Sequence, residues 1–477
     1  MNNLARKLLC GVAVLVVGWS VAGPSWALTL QQAVTIAVES NPQIGQAIAN
    51  REATEFELQQ ALGLYAPRLD LLASVGAERY DDEGRRAIDI QNDALTPTQA
   101  GLVASYDIFD SGARQAEANQ QAARVDGASA RVLERSEFIG LEVARQYFQV
   151  LLQQQVLQLA QDNVDFHQTT LSNVEAAIGN GQLTAADRQQ AVERLDAARA
   201  QETNAKDALK NAQIAFNNLV GKPLAAASLP SHVPAKVLPP TLAAALGIAR
   251  KKNPQLAMAQ ADVDAAAQVA QKSVAGLGPT LSLDGRAQFG NDINSEEGYT
   301  SDLQANLTLK WNIYDGGIQS AQVQENSRRQ IEAVMAQQQA DRDVEETVRT
   351  SWQMKQNQTE LASEYRHQVD ASDSLVSSYR EQFRVGQRTL LDVLDAQNSR
   401  FNSQVLYQTA IYGGRFAEYR ILASTDGLLA YLNIAPPKQS TIYARRLLNT
   451  PPSDAYEPRP LKKLDLNGPI DLTKLVN

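Results

Sequence analysis

The sequence contains very little cysteine or histidine. One of its 477 residues is cysteine, Cys10, and three are histidine, namely His167, His232 and His367. Disulfide frameworks need several cysteines and zinc sites need closely spaced Cys and His ligands, so the body of the chain has neither. It also lacks nucleophile–base motifs and Gly-rich phosphate loops. We therefore expect no catalytic residue, no metal site, no cofactor and no enzymatic activity.

Basic charge and long apolar runs are also scarce. Lys and Arg number 44 against 53 Asp and Glu, a formal net charge of −9, which argues against a nucleic-acid partner. No stretch reaches the roughly 18 consecutive apolar residues of a membrane-spanning helix. Any association with a membrane must therefore use another kind of element.

Residues 1–27 have the pattern of an export signal. Arg6 and Lys7 precede a short apolar run, and Ser25 and Ala27 are small residues at the cleavage-type positions. A membrane anchor is the alternative, but the run is too short for one. The pattern predicts an exported chain that begins near Leu28.

Proline is absent from two long tracts, Thr98 to Lys222 and Thr280 to Ala435. Within the second tract, Ile318 to Val385 also lacks glycine. Proline inside a helix costs about 3 kcal/mol, so these tracts permit very long helices. One helix over Ile318 to Val385 would be about 100 Å long at ~1.5 Å per residue. A helix of that length must pack laterally, in a coiled coil or bundle.

The chain also repeats itself at a nearly constant spacing. Asn41-Pro42 recurs as Asn253-Pro254, and Gly181 recurs as Gly386. The nearly constant spacing of these repeated motifs predicts two copies, residues 28–222 and 241–432, joined by a Pro-rich linker, 223–240. An extended Pro-rich tail, 433–477, follows the second copy.

Each copy contains two segments that alternate between apolar and polar residues. They span about 68–80 and 99–109 in the first copy, and about 280–290 and 302–314 in the second. Their length suits a tilted transmembrane strand. A soluble sheet with one buried face has the same period of two. Export and the aromatic residues at the strand ends favour the membrane interpretation.

Four strands are too few to close a barrel in a membrane, where the smallest barrels have about eight. An open sheet edge in lipid would leave backbone groups without hydrogen-bond partners. The chain must then oligomerise through its sheet. A dimer would supply eight strands and a filled lumen, and a trimer twelve strands and a pore.

Three stretches resemble one known family: Val385 to Gln397, Gly179 to Asp187 and Tyr419 to Ser424. They resemble the turns and the last helix of the TolC-like outer-membrane factor family, and the likeness covers about residues 28–432. The resemblance implies a mixed fold, in which an all-α coiled-coil barrel adjoins a transmembrane β-barrel. Each chain would contain two repeats of helix, strand, strand, long helix and helix.

The resemblance also implies an assembly and a location. Three chains would form a twelve-stranded β-barrel in the lipid of the outer membrane and an α-helical tunnel in the periplasm. A periplasmic adaptor protein and an inner-membrane ABC or other export pump would dock at the tip of the tunnel.

The family's acidic ring at the tunnel entrance corresponds to Asp392 and Asp395. These residues are three positions apart and share one helix face. Three copies of two carboxylates would favour cations, polyvalent ones above all. An acidic first turn that complements the helix macrodipole is the structural alternative.

The resemblance assigns further roles around the two turns. Arg388 and Asp187 correspond to the gate ion pair, although a solvated surface arginine is the alternative for the first. Phe383 occupies a gate-packing position where the family often has tyrosine, and it lacks that hydroxyl group. Gly181 and Gly386 correspond to the turn glycines at the tip where the adaptor docks.

The sequence favours a passive export duct over two other classes. A non-channel coiled-coil surface protein is opposed by the membrane-length strands, and an enzyme by the lack of a catalytic constellation. As a duct, it would be the outer-membrane exit of a type I protein secretion system. The alternative is the outer-membrane duct of a multidrug efflux pump.

Overall fold

The computed structural model describes residues 28–450, except for 80, 82, 90–93, 225–229, 231 and 294–296. The predicted export signal, 1–27, and the end of the tail, 451–477, lie outside the described residues.

Both halves of the chain pass through the same main elements in the same order. The first half comprises α1 (Leu30–Ser40), α2 (Pro42–Gly63), β1 (Arg68–Val75), α3 (Glu83–Ala87), β2 (Thr98–Phe109), α4 (Ala113–Gly179) and α5 (Ala185–Val220). The second half comprises α6 (Leu242–Lys252), α7 (Pro254–Ala275), β3 (Thr280–Asn291), β4 (Tyr299–Lys310), α8 (Ile318–Arg384) and α9 (Leu390–Ser424). The short helices α10 (Leu428–Tyr431) and α11 (Ala444–Leu447) follow, with a 3-10 turn at Lys438–Ser440 between them.

Two helices precede the strands in each half, where the sequence analysis predicts one. The break falls at the repeated Asn-Pro pair. Asn41 and Asn253 each accept a hydrogen bond of 2.9 Å from the backbone N–H two residues later, and so cap α2 and α7. Pro42 and Pro254 occupy the first helical position, where the missing N–H is no loss.

The two longest helices, α4 and α8, each have 67 residues, which corresponds to about 100 Å. Each follows a glycine with a left-handed backbone, Gly112 or Gly317. In each, an aspartate two residues before that glycine accepts a 2.8 Å hydrogen bond from an N–H of the first turn. No helix in the described ranges is both long enough and apolar enough to cross a membrane.

The four strands form one antiparallel sheet in the order β1-β2-β3-β4. The two faces of the sheet differ in polarity, as shown by two rows of residues that pair with one another across the four strands. One row consists of Leu71, Leu102, Ala287 and Leu303, and a row on the other face consists of Arg68, Ser105, Asp284 and Asn306. Leu71 and Leu303 are 73% and 84% exposed, so the apolar face is uncovered in the single chain.

Two strands differ in their limits from the sequence prediction. β1 ends at Val75 rather than near residue 80, and beyond it a single bridge joins Glu78 to Leu95. β4 spans Tyr299–Lys310 rather than about 302–314. Trp311 lies just beyond the strand, and its indole N–H donates to the Leu277 carbonyl over 3.1 Å.

The largest hydrophobic cluster lies where α1, α4, α5, α9 and α10 meet. Its aromatic rings are in contact: the ring centroid of Tyr147 is 6.3 Å from that of Phe216 in a tilted pair, and that of Phe148 is 5.4 Å from that of Tyr419 in an edge-to-face pair. Aromatic pairs, edge-to-face ones among them, stabilise a core beyond their buried area. Part of the 223–240 linker also packs here, through Leu224, Val233 and Leu238.

The described part of the tail, 433–450, is not simply extended. It contains the 3-10 turn and α11, which lie against the first-repeat helices α2 and α4. Ala444 is fully buried there beside Leu58 and Val125. The carboxylate of Asp126 accepts hydrogen bonds from three successive backbone N–H groups, residues 443–445, and so starts this last helix.

Arg445 joins the tail to both repeats. Its guanidinium contacts the carboxylates of Asp126 on α4, at 2.9 Å, and of Asp264 on α7. Both carboxylates are 1% exposed. A buried charge is tolerated when it is paired and hydrogen-bonded, so Arg445 serves as a shared counter-ion for both carboxylates.

Removal of this guanidinium should destabilise the protein strongly. Arg445→Ala removes a cation that pairs with two buried carboxylates, and we expect the free energy of unfolding to fall by ~3–5 kcal/mol. The measurement is denaturant unfolding of the detergent-solubilised protein. Arg446→Ala, at the neighbouring exposed position, should have little effect. Equal stability of the two variants would contradict the counter-ion role.

Candidate functional site

The candidate site lies at the tip of the long helices, where the chain turns twice in the same way. After α4, Gly181 has a φ of 71°, and after α8, Gly386 has a φ of 78°. In both turns the N–H of the residue after the glycine donates to the carbonyl five residues earlier, over 2.9 and 2.8 Å. This pattern is the Schellman ending of a helix, in which glycine accepts the left-handed backbone without strain.

A capping box opens the helix that follows each turn. Thr184 and Thr389 are the N-cap residues, and Asp187 and Asp392 occupy the third helical position. The hydroxyl of each threonine donates to the aspartate, over 2.7 Å in the first turn and 2.8 Å in the second. Each threonine hydroxyl also accepts a hydrogen bond from the aspartate N–H. Asp187 and Asp392 are therefore equivalent positions of the two repeats, and both stabilise a helix start.

These hydrogen bonds favour the ionised form of both carboxyls. The threonine hydroxyl lowers the pKa of Asp187 below its usual value, and the backbone N–H of Thr184 adds to this effect. The Thr389 hydroxyl likewise lowers the pKa of Asp392, followed by the Thr389 backbone N–H. Both groups are thus negative at neutral pH, with hydrogen-bond donors rather than cations as their nearest partners.

Asp395 has a different environment, although it lies one turn after Asp392. Its Oδ1 atom accepts a hydrogen bond of 3.0 Å from Nη2 of Arg194, on α5. The Asp395 side chain is 59% exposed and that of Arg194 is 33% exposed. The two predicted ring carboxylates therefore have unlike partners, one a threonine and the other an arginine of the first repeat.

The predicted gate pair is not brought together within one chain. Among the described side chains, no ion pair joins Arg388 to Asp187. The Arg388 guanidinium instead lies 4.3 Å from the ring centroid of Tyr379, and its Nε donates to Gln382 over 3.0 Å. Sequence reasoning missed Tyr379. This tyrosine lies one helical turn before Phe383, the position at which the family often has a tyrosine.

Phe383 packs against a small hydrophobic cluster behind the two turns. The buried members come from α4, α5 and α9, namely Leu171, Val174, Ala191, Leu195, Leu390 and Leu394. This cluster joins the two helix pairs near their tip. A groove of about 1240 Å³ runs beside it, lined by Phe383, Gly386, Arg388 and other residues of both repeats.

A polar layer that the sequence analysis missed lies farther from the tip. Gln397 on α9 donates to Asn163 on α4 over 2.8 Å, and Asn163 donates to Gln201 on α5 over 3.3 Å. His167, one turn along α4, is 4% exposed. Burial lowers the pKa of His167 to about 4, with a further contribution from the charge of Arg194.

The stacking of Arg388 on Tyr379 gives a testable prediction. A cation–π contact at an exposed site contributes ~0.5–1 kcal/mol, and it restrains the Arg388 side chain against the ring of Tyr379. Trypsin must bind an extended arginine side chain, so Tyr379→Leu should accelerate cleavage after Arg388 about two- to five-fold. Tyr379→Phe keeps the ring and should cleave at the wild-type rate. A rate for Tyr379→Leu equal to that of Tyr379→Phe would show that the stacking does not restrain Arg388.

The fold is that of the outer-membrane channel proteins. The solved structure of the outer membrane protein VceC from Vibrio cholerae is similar, with a TM-score of 0.73 and 16% identity over 83% of this chain and 96% of that one. The structure of CusC has a TM-score of 0.74 and 16% identity over 83% of this chain and 91% of that one. At these identities the likeness concerns the fold alone.

The chain belongs to the outer membrane efflux protein family, whose model matches residues 33–222 and 245–412. The outer membrane protein TolC of Escherichia coli is 25% identical over 417 residues, 83% of each chain. The alkaline protease secretion protein AprF of Pseudomonas aeruginosa is 25% identical over 395 residues, 80% of each chain. The predicted TolC-like family is thus confirmed, as is the location in the outer membrane with a periplasmic tunnel.

Proposed function

We propose that three copies of this chain form a continuous duct, a twelve-stranded β-barrel joined to an α-helical tunnel. This proposal rests on the outer edges of the four-stranded sheet, which have no strand partner within one described chain. β1 pairs only with β2, and β4 only with β3, among the described strands of one chain. Its apolar face is exposed, and in lipid both outer edges need strand partners, which further copies would supply. Three copies give an even strand number wide enough for a pore.

The duct would be passive and would catalyse no reaction. Energy would come from an inner-membrane pump, of the ABC or another type, reached through a periplasmic adaptor protein. The turns at Gly181 and Gly386 form the end of the long helices and would present the docking surface for that adaptor. Their exposed positions and matched geometry support this role.

Type I protein secretion is the substrate pathway that we favour. The similarity to AprF, a protein named for the secretion of alkaline protease, supports it and extends over 80% of each chain. The alternative is a duct for multidrug efflux. It is supported by the outer membrane efflux protein BepC of Brucella suis, 26% identical over 254 residues, which is 51% of this chain and 52% of that protein.

Asp392 and Asp395 would line the tunnel entrance as an acidic ring. Three copies would gather six carboxylates in one constriction, where they favour cations and bind polyvalent ones. In Asp392, helix capping and a role in the ring are compatible, because the cap keeps the carboxylate ionised. Arg388 and Asp187 would pair between neighbouring chains, since each is exposed or half-buried near the tip. Phe383 would hold the gate helices together by packing.

Planar-bilayer recording tests the acidic ring. The double variant Asp392→Asn/Asp395→Asn removes the charges and keeps the shapes, so we expect lower selectivity for K⁺ over Cl⁻ and weaker block by La³⁺. The expected rise in the La³⁺ concentration for half-block is at least ten-fold, because both carboxylates of every copy are lost.

Asp343→Asn is the matched control, since it changes the same charge at an exposed position of α8, 41 residues before the helix ends. It should leave selectivity and block unchanged. If the double variant behaved like Asp343→Asn, the acidic ring would be ruled out. If neither the wild type nor any variant conducted in lipid, the proposed duct itself would be rejected.

A further inference from the structure

Arg194 is a cation placed directly against one of the two ring carboxylates. Its Nη2 atom is 3.0 Å from Oδ1 of Asp395, within hydrogen-bond distance for a charged pair. A second acid, Glu193, lies 3.5 Å from its Nε atom. Neither Arg194 nor Glu193 belongs to the turn motifs or to the set of residues assigned to the gate.

Arg194 is held at a junction of three helices rather than at the end of a free side chain. It lies on α5, it contacts Asp395 on α9, and its charge is felt by the buried imidazole of His167 on α4. Only a third of its side chain is exposed, whereas the Asp395 side chain is 59% exposed. The guanidinium therefore lies partly buried beside Asp395, which still reaches solvent.

The partners of the two ring carboxylates differ in charge. Asp392 bonds to the hydroxyl and the backbone N–H of Thr389, which are neutral, and the charge of Arg388 acts on it only as a smaller contribution without a hydrogen bond. Asp395 bonds to a full positive charge, which cancels most of its field at a distance. Counting the ring carboxylates and Arg194 alone, a trimer would carry six negative and three positive charges, while Glu193 adds a further carboxylate on the other side of each arginine.

We propose that Arg194 tunes the cation affinity of the tunnel entrance by neutralising Asp395, so that Asp392 supplies most of the net negative charge. This inference rests on the proposed acidic ring and adds a specificity-determining residue to it. The ligands concerned are small polyvalent cations. The entrance would then bind them weakly enough to remain conductive when such ions are present in the periplasm.

A purely structural role for the pair predicts something different. If Arg194 only ties α5 to α9, its removal would loosen the tip, and the affinity for La³⁺ would fall or stay unchanged. If Arg194 neutralises Asp395, removing the arginine should instead raise the affinity for La³⁺ and tighten the block. The direction of the change therefore separates the two roles.

The test is La³⁺ block of the full-length protein in planar bilayers. Arg194→Gln should lower the La³⁺ concentration for half-block about two- to five-fold, the factor that corresponds to ~0.4–1 kcal/mol for an exposed ion pair. Arg194→Lys keeps the charge and should remain within about two-fold of the wild type. Arg194→Gln/Asp395→Asn restores the net charge and should return the half-block concentration close to the wild-type value.

Arg199→Gln is the matched control on the same helix. Arg199 lies 3.1 Å from Gln168 and 3.5 Å from Asp196, away from the ring carboxylates, so its loss should not change the block. An unchanged or weaker block in Arg194→Gln would overturn the inference, as would an equal effect of Arg199→Gln.

The acidic ring and this inference can fail separately. If Asp392→Asn/Asp395→Asn leaves the block unchanged, the ring itself is wrong, and the role of Arg194 falls with it. If that double variant weakens the block while Arg194→Gln does not tighten it, the ring stands and only the role of Arg194 is rejected. Tighter block in Arg194→Gln together with weaker block in the double variant supports both.

Discussion

The open edges of the four-stranded sheet are the constraint on which the rest of the structure depends. Water can satisfy the free N–H and C=O groups of an edge strand, but the hydrocarbon core of a membrane cannot. The sheet carries an exposed apolar row that includes Leu71 and Leu303, and the chain belongs to an outer-membrane family. In the proposed assembly, closure with further copies would satisfy the edges of β1 and β4, and it would fix the symmetry with which the long helices pack.

Duplication explains why the tip has two similar turns with unlike chemistry. The same glycine, threonine and aspartate positions build both helix starts, so Asp187 and Asp392 share a structural task. Positions that differ between the repeats have different contacts. Arg388 stacks on Tyr379, and Asp395 pairs with Arg194 from the other repeat. The long helices and the cluster around Phe383 hold these few residues at the end of a tunnel about 100 Å from the sheet.

Much of this fold can be predicted from the sequence, because its signals are local. The lack of glycine and proline between Ile318 and Val385 predicts α8, and alternation predicts the strands to within a few residues. The Asn-Pro breaks were missed, although capping chemistry could have indicated them. The binding of Arg445 to Asp126, across 319 positions, could not be predicted, because that pair is close only after the tail has packed. The same holds for Arg194 with Asp395, which are 201 positions apart. Arg388 instead contacts nearby residues, Tyr379 and Gln382, and this local contact was missed.

The mass of the detergent-solubilised complex, extracted from outer membranes and measured by native mass spectrometry, tests the central claim most directly. The proposed closure of the sheet predicts a single species with the mass of three mature chains. A single chain that remains folded, or a species of two chains, would contradict it, since neither could form a twelve-stranded wall with every edge paired.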